Sequence, residues 1–451
     1  MAKRKLVVGS IAACIFALCA NMANAQVVGT PYTVPYNAII EEQTTYTDVM
    51  YDFQHQTIQA YNVSGTAYVL QWQVSTDTTV ADSFIDIPGA NAQNYTIPAY
   101  YIDGFVTTEQ SKELFFRVIA NNGTKEDISS IMGILFIRTN TPGYGIDTTG
   151  VHYLTINMGL GGVAGGGTVK IALLNLGQSG TGSLNTDPLY SDAARVDDAA
   201  DLGDFYQWGR VADGQQHTVW SKTTAHVNQI NPMTGGGSAT SKVGPAPVPP
   251  ASYPLTPVLD ATGQVDPSDP YYGLYIPGTG SWGNPAVNVW GNTSIARAGA
   301  PASLAGWSFP QNNPCPNGWF VPSLFDWADM FQNNGTGNLT AGTLPVTANG
   351  NTWEYRGTNA QQAIGGVIIT NNTTGEKVYL PTTGSRHQTS GGLQSLGSLY
   401  YWSSTSGGNP NLNATRLTVI YNATTGVTTV AGDGVGASRS TGMCVRCIQK
   451  P

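Results

Sequence analysis

Two short stretches of the chain alternate so strictly that they leave room for little besides β-strands. Tyr68, Leu70, Trp72 and Val74 fall on one face, and Val69, Gln71, Gln73 and Ser75 on the other. A second run repeats the rhythm, with Leu114, Phe116, Val118 and Ala120 opposite Phe115, Arg117, Ile119 and Asn121. Successive side chains of an extended backbone point to opposite faces, so apolar residues at every second position mark a half-buried strand. Between the runs, Ile85 to Ala90 reads as a strand entering a Pro-Gly turn, and Asn94 to Ile97 as another short strand. Composition disfavours helix elsewhere: there are 54 glycines and 26 prolines, and only 11% of residues are charged. Soluble globular proteins usually carry about 25%. Coiled coils, long amphipathic helices and nucleic-acid-binding stripes are excluded on that basis. The 10 Trp, 22 Tyr and 12 Phe exclude a wholly disordered chain. The expectation is a β-rich multidomain protein, and 451 residues allow about three domains.

The start of the chain sets the compartment. Lys3, Arg4 and Lys5 precede the apolar stretch Leu6 to Ala20, and Ala23-Asn24-Ala25 has the form of a signal-peptidase site. Residues 1–25 therefore read as a signal peptide cleaved before Gln26. Ile11-Ala12-Ala13-Cys14 offers a rival lipoprotein box, but the apolar stretch continues past Cys14. Cleavage removes three positive charges and no negative ones, taking the formal charge from −8 to −11. Such acidity disfavours nucleic acid and anionic lipid as partners. No later apolar run approaches 18 residues, so no transmembrane segment is expected in the mature chain. The implied location is secreted or at a bacterial cell surface. Cys315, Cys444 and Cys447 remain after cleavage, which in an oxidising compartment predicts one bridge and one spare thiol. Cys444-x-x-Cys447 lacks a second ligand pair at metal spacing, so no metal is expected there.

The mature chain divides into an extended arm over 26–56, a strand-rich module over 57–138, a Pro/Gly-punctuated linker over 139–150 and a long region over 151–451. Short strands around a central Trp describe an immunoglobulin-like β-sandwich for 57–138. The segments Val69-Leu70-Gln71-Trp72-Gln73-Val74-Ser75, Asp86-Ile87-Pro88-Gly89-Ala90 and Phe115-Phe116-Arg117-Val118 resemble those of immunoglobulin-like modules in bacterial surface proteins. No cysteine pair is present in this module, so its core would rest on packing around Trp72.

Four separated motifs in the long region carry a second resemblance. Ala193 to Ala200 leads into Phe205-Tyr206-Gln207-Trp208-Gly209-Arg210 and Asp213-Gly214. Pro314-Cys315-Pro316-Asn317-Gly318-Trp319-Phe320-Val321-Pro322 follows, then Leu380 to Arg386 with Tyr400-Tyr401-Trp402-Ser403-Ser404, and finally Cys444-Val445-Arg446-Cys447-Ile448. In order and spacing this series resembles the Fibrobacter succinogenes major paralogous domain, with Trp208, Gly209, Arg210, Asp213, Trp319, Pro322, Trp327, Trp402 and Arg446 as its signature residues. Cys444 and Phe320 depart from the family, where Ser and Arg are usual. The resemblance implies an α+β fold of the C-type-lectin-like and formylglycine-generating-enzyme superfamily, with long loops. It also implies a Cys315–Cys447 disulfide that leaves Cys444 as the spare thiol. On alternation Cys444 points the same way as Arg446, away from Val445 and Cys447.

Local patterns agree with that layout. Ser323 with Asp326 three residues on forms a capping box, and Leu324, Trp327, Ala328 and Phe331 make one apolar face, predicting a buried helix of about ten residues closed by Gly335. Arg416 to Tyr421 and Gly426 to Val430 predict a hairpin around Asn422-Ala423-Thr424-Thr425.

No chemistry stands out. His55, His152, His217, His226 and His387 sit in no motif with a known mechanism, and Asp197-Asp198 reads as a capping or salt-bridging pair for Arg195 or Arg210. Formylglycine-generating activity would need reactive cysteines in loops that precede Cys444. Trp282-Gly283-Asn284-Pro285 and Trp290-Gly291-Asn292 lack the carboxylates of calcium-dependent lectin motifs. Trp220, Tyr271, Tyr272, Tyr275, Trp282 and Trp290 lie in Gly/Pro-rich loops, where flat rings could stack on sugars without calcium. The functional expectation is a non-enzymatic surface protein, an adhesin or subunit of an extracellular assembly, without cofactor or metal. Its partners would be surface proteins or copies of itself. The alternatives are a calcium-independent glycan binder and an enzyme of unknown class on the lectin-like region.

Overall fold

A computed structural model describes residues 49–60, 68–80, 83–106, 108–121, 123, 126–129, 131–158, 167–178, 203–216, 257–283, 290, 312–331, 342–357, 365–389, 391, 393–395, 398–407, 412–422, 427–432 and 436–449. The leader, most of the arm, the Ala193 to Ala200 motif, Trp220, His217, His226 and Gly335 lie outside the described residues. The described chain is β-rich, with 44% strand in several sheets and one α-helix.

The alternating runs pair as their pattern demands. Val69–Ser75 lies antiparallel to Ser111–Asn121 with Leu70 opposite Ala120, Trp72 opposite Val118 and Val74 opposite Phe116. The six-stranded sheet runs Val49–Tyr51, Met132–Ile137, Ser111–Asn121, Val69–Ser75, Ile85–Asp86, with Glu126–Ile128 beside the long central strand. Its buried face meets Ile58 and Ile97 of the two-stranded pair Gln56–Gln59 and Asn94–Ile97, closing a core around Trp72. The Trp72 indole donates to Ala92 O at 3.0 Å, so its one polar atom is satisfied.

The arm does not end where this module begins. Val49–Tyr51 forms a parallel edge strand on Met132–Ile137, and Gln56–Gln59 pairs with Asn94–Ile97. Sequence reading misses these strands because the stretch before 57 has no clear period. The 139–150 linker is equally built in. Tyr144–Ile146 is a strand on His152–Asn157, in a sheet that continues through Thr168–Ala172 to Ile448–Gln449.

The long region adds three more sheets. Val346–Ala348, Asn351–Gly357, Gly365–Asn371 and Lys377–Pro381 form a meander. Asn413–Asn422 and Val427–Gly432 form the expected hairpin, joined by Ser398–Ser406 and Gly342–Thr343, with Ala437–Ser438 beside Asn413–Asn422. Tyr206–Gln207, Gly442–Met443, Ser385–Arg386 and Leu393–Gln394 complete the set. The helix spans Leu324–Phe331 and is buried on nearly all sides, not only along Leu324, Trp327, Ala328 and Phe331. Its capping box is reciprocal: Asp326 N donates to Ser323 Oγ at 3.2 Å, and Ser323 N to Asp326 Oδ2 at 2.8 Å.

Candidate functional site

The separated motifs of the long region meet in one place. Trp208, Trp319, Trp402, Met443, Val445 and the disulfide Cys315–Cys447 share a single buried cluster. The bridge joins residues 132 apart in sequence, and Phe320 pairs with Ile448 beside it by hydrogen bonds of 2.7 and 2.8 Å. Two tryptophans lock the first and third motifs reciprocally: Trp208 Nε1 donates to Ser403 O, and Trp402 Nε1 to Tyr206 O, both at 2.7 Å. Trp319 Nε1 reaches the Asp147 carboxylate. Trp327 of the helix packs its ring 6.1 Å from that of Tyr401, and Pro322 O accepts from Ser404 N at 2.8 Å. Gly209 stands at φ 88°, a left-handed position that explains glycine between Trp208 and Arg210.

Four arginines are buried in and around this cluster: Arg210, Arg386, Arg439 and Arg446. Arg210 pairs with Asp213 and donates to Gln207 Oε1 and Leu274 O. Burial pulls its guanidinium down from the ordinary arginine value, and Asp213 opposes that pull. Arg439 stacks 4.3 Å above the Trp208 ring, and burial takes its pKa down to about 10. Arg446 donates to Ala172 O and Tyr379 O at 2.9 and 3.0 Å. Of the nine motif residues singled out in the sequence, eight pack or hydrogen-bond in buried surroundings and Gly209 supplies a left-handed turn. Cys444 faces the helix-side core while Val445 and Cys447 face the tryptophan cluster, as alternation requires. Its thiol is fully buried, and desolvation pushes its pKa far up, which makes it unreactive.

The aromatic residues singled out for ligand stacking are corrected by their burial. Tyr271, Tyr275, Trp282 and Trp290 are all buried, leaving no face for a sugar. Trp282 Nε1 donates to Trp208 O at 2.6 Å, Trp290 lies 5.9 Å from Trp208, and Tyr271 packs with Val265, Ile276 and Trp282 in a small core of the loop itself. Only Tyr272, 44% exposed, keeps an open ring among the five described. The loop that carries it is fixed by side-chain turns: Asp260 accepts from Thr262 N and Gln264 N, Asp266 from Ser268 N and Asp269 from Tyr271 N.

The described histidines gather no catalytic set. His152 stacks on Phe53 at 4.0 Å, His387 contacts Thr389, and His55 is a β-bridge residue directly before Gln56–Gln59. Among the described residues, no group of three or more His, Cys, Asp or Glu side chains could hold a metal ion. No helix there is long and apolar enough to cross a membrane.

Sequence reading missed the seam between the first module and the long region. Tyr51 lies in the same core as Tyr379, Leu380 and Tyr401, and its hydroxyl accepts from Tyr379 N at 2.8 Å. Glu376 accepts from Thr141 Oγ1 and Gly143 N at 2.7 and 2.8 Å, and Tyr144 exchanges two hydrogen bonds with Lys377. Arg356 pairs with Glu113. No family model, curated protein or solved structure matches the chain.

Proposed function

We propose that this chain is a secreted or cell-surface structural and interaction protein without catalysis, acting as an adhesin or as a subunit of an extracellular assembly. In this reading residues 26–56 follow a cleaved signal peptide, 57–138 form an immunoglobulin-like module, and 151–451 a lectin-like paralogous domain. The observation that carries it is the use made of the quoted motifs. Their tryptophans, arginines and cysteines are consumed in two buried cores, one of them clamped by the Cys315–Cys447 disulfide, and hydrogen bonds through Tyr51 and Glu376 join the two regions. Such a body suits spacing and display. Its partners in this reading are other surface proteins or further copies of the chain.

The arm supplies a route to assembly. Residues before Val49 would complete a neighbouring copy's sheet by strand addition. The test uses the secreted mature chain beside a form lacking residues 26–48, a cut that spares the strand Val49–Tyr51. Ordered oligomers by electron microscopy and light scattering are expected for the first and a folded monomer for the second. Identical behaviour of both removes the strand-addition route, and a monomer that meets no surface protein removes the assembly reading. Exposed Tyr272 favours a second reading, calcium-independent glycan binding, which a glycan array with Tyr272→Ala as control would separate from the first.

A further inference from the structure

The six-stranded sheet of the first module carries apolar residues on both faces. Along Val49–Tyr51 and Met132–Ile137, Met50, Ile134 and Phe136 turn inward to the core around Trp72, while Val49, Tyr51 and Ile137 turn outward into the core shared with the long region. Leu135, opposite both Val49 and Glu113, packs against that outer core, and Glu113 meets Arg356. At this end the outer face is therefore one wall of the seam. Strand register carries the same face on, past Phe115 and Arg117, to the pairs Gln71 with Ile119, Ile119 with Ile128 and Val69 with Asn121. There it meets solvent: Val69 is 47% exposed, Ile128 51% and the nearby Ile131 47%, with Ile119 and Phe115 half-buried beside them. Branched apolar side chains grouped in the open, on a face whose other end is buried, mark a surface made to be covered.

The direction of one strand says what arrives there. Val49–Tyr51 runs parallel to Met132–Ile137 with Val49 opposite Leu135, so the chain enters Val49 from the side of Ile134, the side on which Ile131 and Ile128 lie. Residues 26–48 include Val27, Val28, Val34, Ile39 and Ile40 and no Lys or Arg, and a chain of that length reaches about 75 Å when extended. We propose that the outer surface around Val69, Ile119 and Ile128 is the seat of residues 26–48. The chain's own arm, tethered at Val49, takes the seat when copies are dilute, because the tether gives it a high effective concentration. In the assembly a neighbour's arm makes the same contacts, an exchange of identical elements between copies. Only this exchange rests on the assembly reading; the seat itself does not.

The test uses the full mature chain with the photo-crosslinker p-benzoylphenylalanine in place of Ile128, mixed in light and heavy-isotope forms, irradiated and mapped by mass spectrometry. Cross-links to peptides of 26–48 are expected from position 128. None are expected from the same group in place of Val258, which is 62% exposed in the long region. Light–light pairs report the chain's own arm, and light–heavy pairs that rise with concentration report exchange. Light–light pairs alone uphold the seat and remove the exchange route to assembly. Independently, Ile128→Asp with Ile131→Asp should speed chymotryptic cutting at Tyr32 and Tyr36 by roughly threefold or more, as release of a docked segment requires. No arm cross-links from position 128, equal arm cross-linking from positions 128 and 258, or an unchanged cutting rate would overturn the proposal.

Discussion

Tyr51 joins two regions through one ring and one oxygen. Its ring lies parallel to that of Phe53 at 5.5 Å, and its hydroxyl answers the Tyr379 N–H. Burial pushes its phenol up to about 12, against the opposing pull of Arg446 and the Tyr379 hydrogen bond. An unfolded tyrosine ionises near 10. The folded state thus holds its proton longer than the unfolded state. The resulting stability is whole below pH 10 and drains away as pH rises towards 12. Tyr51→Phe should cost about 1 kcal/mol at pH 8 by orphaning the Tyr379 N–H. It should also flatten the alkaline loss, both read from urea midpoints between pH 8 and 11. Tyr51 was not legible in the sequence because the arm has no period and its hydrogen-bond partner Tyr379 lies more than 300 residues away. Trp72 was legible, since alternation alone placed it inside. Trp282 and Trp290 misled: Gly/Pro-rich surroundings suggest exposure, while their burial comes from Trp208, far off in sequence.

Among the elements, the disulfide ties distant parts of a loop-rich region together. Closing a loop of 132 residues restricts the unfolded chain by about 5 kcal/mol in the entropy model. Cys315→Ser with Cys447→Ser should therefore lower unfolding free energy by about 4–5 kcal/mol in guanidinium titrations, and reductant should have the same effect on the unaltered protein. A loss under 1 kcal/mol would mean that tryptophan packing alone sets the junction. The helix and hairpin were readable from spacing because a capping box and a turn are local devices. The edge strand Val49–Tyr51 was not, since three residues carry no period. Cys444, two positions from Arg446, obeyed alternation, and full burial keeps its thiol from bridging another chain in the folded state.

At the scale of the whole molecule, the seam predicts that the two regions melt together. Gly143 sits so close to Glu376 that a Cβ there would fall 1.8 Å from a carboxylate oxygen. Calorimetry of the unaltered chain should show one transition. Gly143→Ala should displace Glu376, lower the transition and split it in two, whereas a single unshifted peak would show that the seam carries little coupling. The parallel pairing of Val49–Tyr51 with Met132–Ile137 has a mechanical consequence. A pull entering through the arm and leaving through residue 139 draws these strands in opposite directions along their length. Their ladder of hydrogen bonds is then strained all at once, in shear, instead of opening rung by rung. Traction applied between those two points would meet the geometry that resists it best.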